Sequence, residues 1–304
     1  MGVGLCLPQL GEHVTLPALQ QFSRRAEHLG YTSLWVQDHF LYPLEPRRGY
    51  GGRPNAPIPT QYRSVLAPTE LLTAAAMWTT TMKLGASVLV GGNHWPVSLA
   101  QRLATIDLLS GGRLLVGLGV GWNAEEHDVS GTDIATRGAR MDDMVAALLA
   151  CWGDDPVSHV GPFFRIPPSH VRPKPVQRPH PPLLSGMWSA AGLERTRTMF
   201  DAWNPAGQSV ERVAATVAGL NARRPAGMAP LDVYHRGFAQ YPLASTSPGD
   251  NVARLADEAV AARNAGFNEF IIEHNFLDTI TSPDDWSAIP DAYADILSAV
   301  ANEV

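Results

Sequence analysis

The run from Gly91 to His127, GGNHWPVSLAQRLATIDLLSGGRLLVGLGVGWNAEEH, constrains the fold most, because it reads as a helix delivered directly into a buried strand. Pro96 suits a first helical turn, and Val97, Ala100, Leu103, Ala104 and Leu108 recur at three- and four-residue spacing, which predicts a helix with these side chains on one apolar face. Ser110-Gly111-Gly112 stops it. After Arg113 comes LLVGLGVG, too short and glycine-rich for a helix and apolar without alternation, which predicts a strand covered on both faces, as in a parallel sheet. Gly117, Gly119 and Gly121 lack the spacing of a dinucleotide-binding turn, and Trp122-Asn123-Ala124-Glu125-Glu126 is no small-residue helix opening. Glycine inside a strand marks instead the close approach of another backbone or a ligand.

The same alternation runs along the chain. Val3 to Leu7, Ser33 to Val36, Leu84 to Val90, a short strand ending at Ser185-Gly186, Phe200 to Asn204, Leu231 to Ala239 and Glu269 to Glu273 read as strands. Helices are expected over Leu16 to Leu29, Glu70 to Thr80, Arg140 to Trp152 and Val210 to Ala222, with further helices capped by Ser189 and by a Ser247-x-x-Asp250 box, and a terminal helix lined by Tyr293, Ile296, Leu297 and Val300. About eight strands alternating with helices is the arithmetic of an α/β fold of the (β/α)8 TIM-barrel type, and 304 residues leave room beyond the usual 250 or so for long insertion loops. Two such loops are read: Leu41 to Ala67, rich in Pro, Arg and Tyr, and a proline-dense stretch from Pro156 to Pro182, taken as an excursion inside one domain spanning 1–304.

Composition narrows the function. With 45% hydrophobic and 17% charged residues the chain is globular, and a net charge of −6 gives no reason to expect nucleic acid. The two cysteines, Cys6 and Cys151, supply neither a disulfide framework nor a metal quartet, and no apolar run approaches the roughly 20 residues of a membrane span. We expect a cytoplasmic homodimer acting on a small molecule, with no nucleic-acid or membrane partner.

In such a barrel the chemistry lies at the carboxyl ends of the strands, which directs attention to Gln9, Asp38, His39, Gly91, Asn93, Gly121, Trp122, Ser185, Gly186, Asn204, Gln240 and His274. A histidine beside an acid at a strand end could be a proton carrier, a metal ligand, a cofactor contact or a structural histidine. Neighbouring strand residues face opposite sides, so Asp38 and His39 should not share a metal. Glu125, Glu126 and Glu273 invite a glycosidase reading, although consecutive glutamates in a loop are usually solvated. No nucleophile elbow and no reactive cysteine is present. A polar and aromatic cleft with a possible anion turn at Ser185-Gly186 points to a phosphate-bearing cofactor that does the chemistry itself.

The chain resembles the luciferase-like monooxygenase family, particularly its coenzyme F420 (deazaflavin)-dependent oxidoreductases. The resemblance rests on Leu29-Gly30-Tyr31 leading to Trp35-Val36-Gln37-Asp38-His39-Phe40, on Ala104 to Arg113 (ATIDLLSGGR), on Gly117 to Trp122 (GLGVGW), and on Lys174 to Pro179 (KPVQRP) before Ser185-Gly186. It implies a barrel that binds deazaflavin, or alternatively FMN, in its open mouth and passes a hydride there. Carried over by position, it implies that Asp38 contacts the deazaflavin ring, that His39 is the catalytic proton donor or acceptor, and that Ser87-Val88 forms a non-prolyl cis peptide behind the ring. It also implies cofactor contacts from Gly121 and Trp122, and a phosphate turn at Ser185-Gly186-Met187. Trp122 stands where the family's sugar-phosphate dehydrogenases have a glutamate, and Tyr42-Pro43 near where they have a tryptophan, so a less polar substrate is expected. An acidic cofactor tail meeting a chain of charge −6 needs local positive charge, for which Arg47, Arg48, Arg53 and Arg63 of the first loop and Arg172, Lys174 and Arg178 of the second are the candidates.

Overall fold

The computed structural model describes residues 1–240 and 248–301. Eight parallel strands close on themselves in chain order: Gly2–Cys6, Ser33–Val36, Lys83–Ala86 (resumed at Leu89–Val90), Leu114–Gly119, Leu183–Ser185, Ala202–Trp203, Asp232–Phe238 and Glu269–Glu273. The first pairs with the eighth, Gly2 opposite Glu269, and the third with the fourth, Leu84 opposite Leu114, which leaves no open edge between them. Each strand is followed by a helix, in order Leu16–Leu29, Pro68–Trp78, Pro96–Ser110, Arg137–Trp152, Ala190–Met199, Val210–Asn221, Pro248–Asn264 and Pro283–Ala292 with Ala294–Ala301. This is the expected (β/α)8 barrel. Among the described residues no helix is long and apolar enough to cross a membrane. Ser247, the expected cap of the Pro248–Asn264 helix, lies outside the described residues, as do the side chains of 248–250.

Inside the barrel, Cys6, Trp35, Leu115, Leu184, Ala202, Tyr234 and Ile271 fill the lower layer. Trp35 occupies the most space, and glycine is required around it: a Cβ at Gly85 would enter its ring, and one at Gly4 would lie 2.9 Å from its Nε1. The main core lies between the outer strand faces and the helices, where Phe22, Leu72, Leu103, Leu148 and Phe270 are fully buried, each worth about 1.5–3 kcal/mol.

Three expectations are corrected here. The Pro96–Ser110 helix buries Leu99, Ala100, Leu103, Ala104, Ile106 and Asp107, whereas Val97 and Leu108 are exposed; at about 100° per residue they lie more than 100° around the helix from Leu103. The strand read over Leu84 to Val90 is interrupted, because the Ser87–Val88 peptide is cis and breaks the pairing. The proline-dense segment contains an antiparallel hairpin, Val157–Val160 with Arg165–Ser169, whose Phe164 and Ile166 join the main core.

The most specific sequence motif sits at the amino-terminal foot of the barrel. Gly111 and Gly112, both at positive φ, end their helix with Gly112 N–H bonded to Asp107 O (2.8 Å). Arg113 then donates to Ser110 O (2.7 Å), Met82 O (2.7 Å), Ala76 O (3.0 Å) and Thr79 O (3.0 Å), tying the end of its own preceding helix to the end of the Pro68–Trp78 helix and the entry to the third strand. The buried Asp107 accepts from Val176 N (2.7 Å), Gln177 N (3.0 Å) and Gln177 Nε2 (2.7 Å), so the KPVQRP stretch is tied to the same knot. In this fold that face serves stability.

Candidate active site at the barrel mouth

At the opposite end, Asp38 and His39 diverge as strand geometry requires. Asp38 Oδ2 accepts from Val90 N (2.8 Å) and lies 2.8 Å from His94 Nε2, joining the second strand end to the third. His39 turns towards the fourth: its Nδ1 lies 3.1 Å from both carboxylate oxygens of Glu126. Its Nε2 has no hydrogen-bond partner among the described residues. The ring sits edge-on to Tyr62 (4.7 Å between centroids) and beside Trp122 (5.3 Å).

Glu126 corrects the expectation of solvated glutamates. It is 1% exposed and belongs to a helix, Ala124–Val129, capped by Asn123 Oδ1 accepting from Glu125 N (3.1 Å) and Glu126 N (3.4 Å). Asn followed by two acids in a first turn is a readable helix start, and it aims Glu126 inward. Glu125 bonds Arg47 instead (2.8 Å to N, 3.1 Å to Nε), so neither glutamate is a free carboxylate flanking a cleft.

The Leu41-to-Ala67 segment covers the mouth. Tyr50 packs against Tyr62 (5.9 Å), Trp122 (5.6 Å) and Phe276 (6.1 Å), and Tyr62 against Phe276 (5.5 Å), roofing His39 with aromatic rings. The segment is tied at both ends. Phe40 N and Leu41 N donate to Glu126 Oε1 (2.9 and 3.3 Å), while Gln9 Nε2 donates to Leu66 O and Gln37 O (both 2.7 Å) and Tyr62 Oη to Gln37 Oε1 (2.7 Å).

The cis Ser87–Val88 bulge forms part of the floor, and it explains the glycines of the fourth strand. A Cβ at Gly119 would lie 2.5 Å from Val88 Cγ2, one at Gly186 2.7 Å from Val88 Cγ1, and one at Gly117 would collide with Ala86 O. Ser87 Oγ donates to Asn204 Oδ1 (2.6 Å), whose Nδ2 donates to Tyr234 O (2.6 Å). Arg236, which the sequence reading did not single out, donates to Ser87 O (2.6 Å) and pairs with the buried Glu273. Burial alone would raise Glu273, but Arg236, with help from Asn275 N–H, holds it below the usual carboxylate range.

Glu273 faces inward and His274 therefore outward, away from the mouth, between Phe22 (5.4 Å) and Trp286 (5.7 Å). Burial pushes His274 down to about 4 from its ordinary 6.5, against the pull of Glu273. The folded state thus binds fewer protons than the unfolded chain. The contribution is full above about pH 6.5 and is lost as pH falls towards 4, on the order of 3 kcal/mol. Chemical denaturation measured across that window should show the loss, and His274→Phe should flatten it.

The Ser185-Gly186-Met187 turn is less open than expected. Gly186 N donates to Leu118 O (3.0 Å), Met187 N to Ser185 Oγ (3.3 Å), and Ser185 Oγ also pairs with Thr196 Oγ1 (2.6 Å). The helix expected to start near Ser189 follows as Ala190–Met199, with Ser189 Oγ accepting from Gly192 N (3.1 Å); the remaining first-turn N–H groups of such a helix end are of the kind that suits an anion. The Arg137–Trp152 helix begins close by, since a Cβ at Gly138 would lie 3.0 Å from Arg195 Nη2. Burial, and then the positive charge of Arg48, hold Arg137 below its ordinary range, so two guanidinium groups stand near one another here, of which the sequence reading named only Arg48.

Most of the expected cations lie elsewhere. Arg47 is held by Glu125 and Asp128, and Arg63 stacks over Tyr42 (5.3 Å). Arg172 and Lys174 pair with Asp155 (2.9 Å each), below the Arg137–Trp152 helix, because the chain returns there to enter the fifth strand from the foot; Arg178 belongs to the same return.

A family model described as luciferase-like monooxygenase matches residues 5–242. The FMNH(2)-dependent dimethylsulfone monooxygenase of Pseudomonas putida is 33% identical over 191 residues, 60% of this chain and 49% of that protein. The F420-dependent glucose-6-phosphate dehydrogenase of Amycolatopsis mediterranei is 32% identical over 165 residues, 52% and 44% of the two chains. Matches to the first curated relatives span 60% or less of their length. A solved F420-dependent secondary alcohol dehydrogenase, in complex with an F420–acetone adduct, superposes with a TM-score of 0.72 over 99% of both chains at 17% identity, a likeness of fold. With the closed barrel and the extent of the family match, the chain belongs to the luciferase-like monooxygenase family of oxidoreductases and monooxygenases.

Proposed function

We propose that this chain transfers a hydride between a deazaflavin of the F420 type, bound at the barrel mouth, and an uncharged, largely apolar small organic substrate. The observation that carries this reading is His39: a largely buried imidazole with Nδ1 anchored on Glu126 and Nε2 without a partner among the described residues, beneath an aromatic roof. The deazaflavin supplies the hydride chemistry when bound. Val88, seated among Gly117, Gly119 and Gly186, provides the face against which a planar ring would rest. The two helix starts near Ser189 and Arg137, with Arg48, suit its phosphate. His39 would hold or receive the proton that accompanies the hydride at a carbonyl or alcohol oxygen. Asp38, buried and bonded to Val90 N and His94, holds the strand end from which His39 projects.

The substrate class follows from charge. Among the described residues Glu125, Glu126, Glu273, Arg47 and Arg236 are each engaged in ion pairs or hydrogen bonds around His39, whereas Tyr50, Tyr62, Trp122 and Phe276 offer apolar area. An FMN-dependent monooxygenase is the second reading, favoured by the same phosphate rim.

Titration of the purified protein with each cofactor, at low and high salt, decides between them. We expect the deazaflavin to bind more tightly, and to weaken as salt rises, because exposed charges are screened beyond a Debye length of about 8–10 Å near physiological ionic strength. Tight FMN binding without deazaflavin binding would move the assignment to oxygen-dependent monooxygenation.

A further inference from the structure

We infer that Glu126 is a positioning residue that sets the tautomer of His39, holding the proton on Nδ1 and leaving Nε2 as the nitrogen that exchanges protons with substrate. The inference rests on the proposed role of His39. Its basis is geometric. Glu126 is buried, and both of its oxygens lie 3.1 Å from Nδ1, so the imidazole is faced symmetrically by a group that, when ionised, only accepts. A neutral ring presenting its Nδ1 lone pair to that carboxylate would set two acceptors against each other in a buried place. Nδ1–H resolves the conflict and forms a charge-assisted bond.

The carboxylate is itself fixed. Oε1 also accepts from Phe40 N (2.9 Å) and Leu41 N (3.3 Å), and the Ala124–Val129 helix holds its backbone through the Asn123 cap. Asn123 Nδ2 donates in turn to Leu41 O (3.2 Å). His39 and the acid that orients it are therefore locked to each other through two strand ends, and Trp122 and Tyr62 confine the ring from the remaining sides. Which nitrogen of a histidine carries its proton is set by the bond the other one makes, and the wrong tautomer removes proton transfer without disturbing the fold.

The first measurement is spectroscopic and needs no cofactor; the second is turnover. Long-range proton–nitrogen spectra of 15N-histidine-labelled protein, with the His39 signals assigned by their loss in His39→Gln, report the tautomer at a pH well above the range in which imidazole takes up a second proton. The parent should show the Nδ1-protonated form alone. Glu126→Gln presents both an acceptor and a donor to the same spot, so the Nε2-protonated form should rise to a comparable population. Its kcat should then drop roughly 10- to 100-fold, with KM and cofactor Kd within about two-fold. An Nε2-protonated parent would overturn the inference, and that measurement requires no variant to fold. So would a Glu126→Gln protein with unchanged tautomer and kcat, which would reduce the carboxylate to a brace for Phe40 and Leu41. The proposed function fails differently: full turnover in His39→Ala would end it while leaving the tautomer result intact.

Discussion

Turnover of His39→Ala at saturating cofactor should fall by about two to four orders of magnitude, the range contributed by a positioned general acid or base. Cofactor affinity should stay within about two-fold, because the surfaces assigned to the ring and phosphate, at Val88, Ser189 and Arg137, are left untouched. Single-turnover absorbance at the cofactor band measures the first quantity and equilibrium titration the second. The pattern separates an enzyme from a barrel that only binds cofactor, since a mere binder shows no turnover in the parent either. Loss of binding together with turnover would instead make His39 a cofactor contact.

The second large effect is on stability. Arg236→Met leaves Glu273 charged inside the barrel with Asn275 and the Cys6 thiol as its remaining hydrogen-bond partners among the described residues, and breaking a buried pair from one side costs about 3–5 kcal/mol. For a chain of this size that corresponds to a fall in Tm on the order of 6–10 °C. Adding Glu273→Gln removes the stranded charge while keeping an acceptor for Asn275, so the double variant should regain at least about half of the loss. Thermal unfolding of the parent, the single and the double variants gives the answer. If the double variant is no more stable than the single one, the cost lies in the lost bond from Arg236 to Ser87 O and not in the charge.

Periodicity exposed the barrel because its signals are local. The helix Leu16–Leu29 and the strands Ser33–Val36 and Glu269–Glu273 have the boundaries expected from apolar spacing and from Gly30 or Gly266 as stops. The candidate site was legible at the strand ends, as at Asp38, His39 and Trp122, and in the tyrosines of the Leu41-to-Ala67 segment. Glu126 was read as solvated and Arg236 was passed over, because their meaning depends on partners 87 and 37 residues away in the chain. Alternation along the seventh strand would have placed Arg236 on the same face as Tyr234, but nothing local says that Glu273 faces it. Arg47 was misjudged for the same reason: it reads as an available cation until Glu125 and Asp128 are folded against it.

The knot formed by Asp107, Arg113 and Gln177 has a consequence for how such chains diversify. It closes the barrel at the foot, while His39, the aromatic roof and the guanidinium groups of Arg48 and Arg137 stand at the mouth, on separate segments. The sequence signature that identifies the scaffold is thus physically insulated from the mouth residues to which the proposed reaction is assigned. Substitutions at Tyr50 or Trp122, partly exposed at the mouth, leave that knot untouched. Two proteins sharing ATIDLLSGGR can therefore be expected to share an architecture and to differ freely in what they reduce.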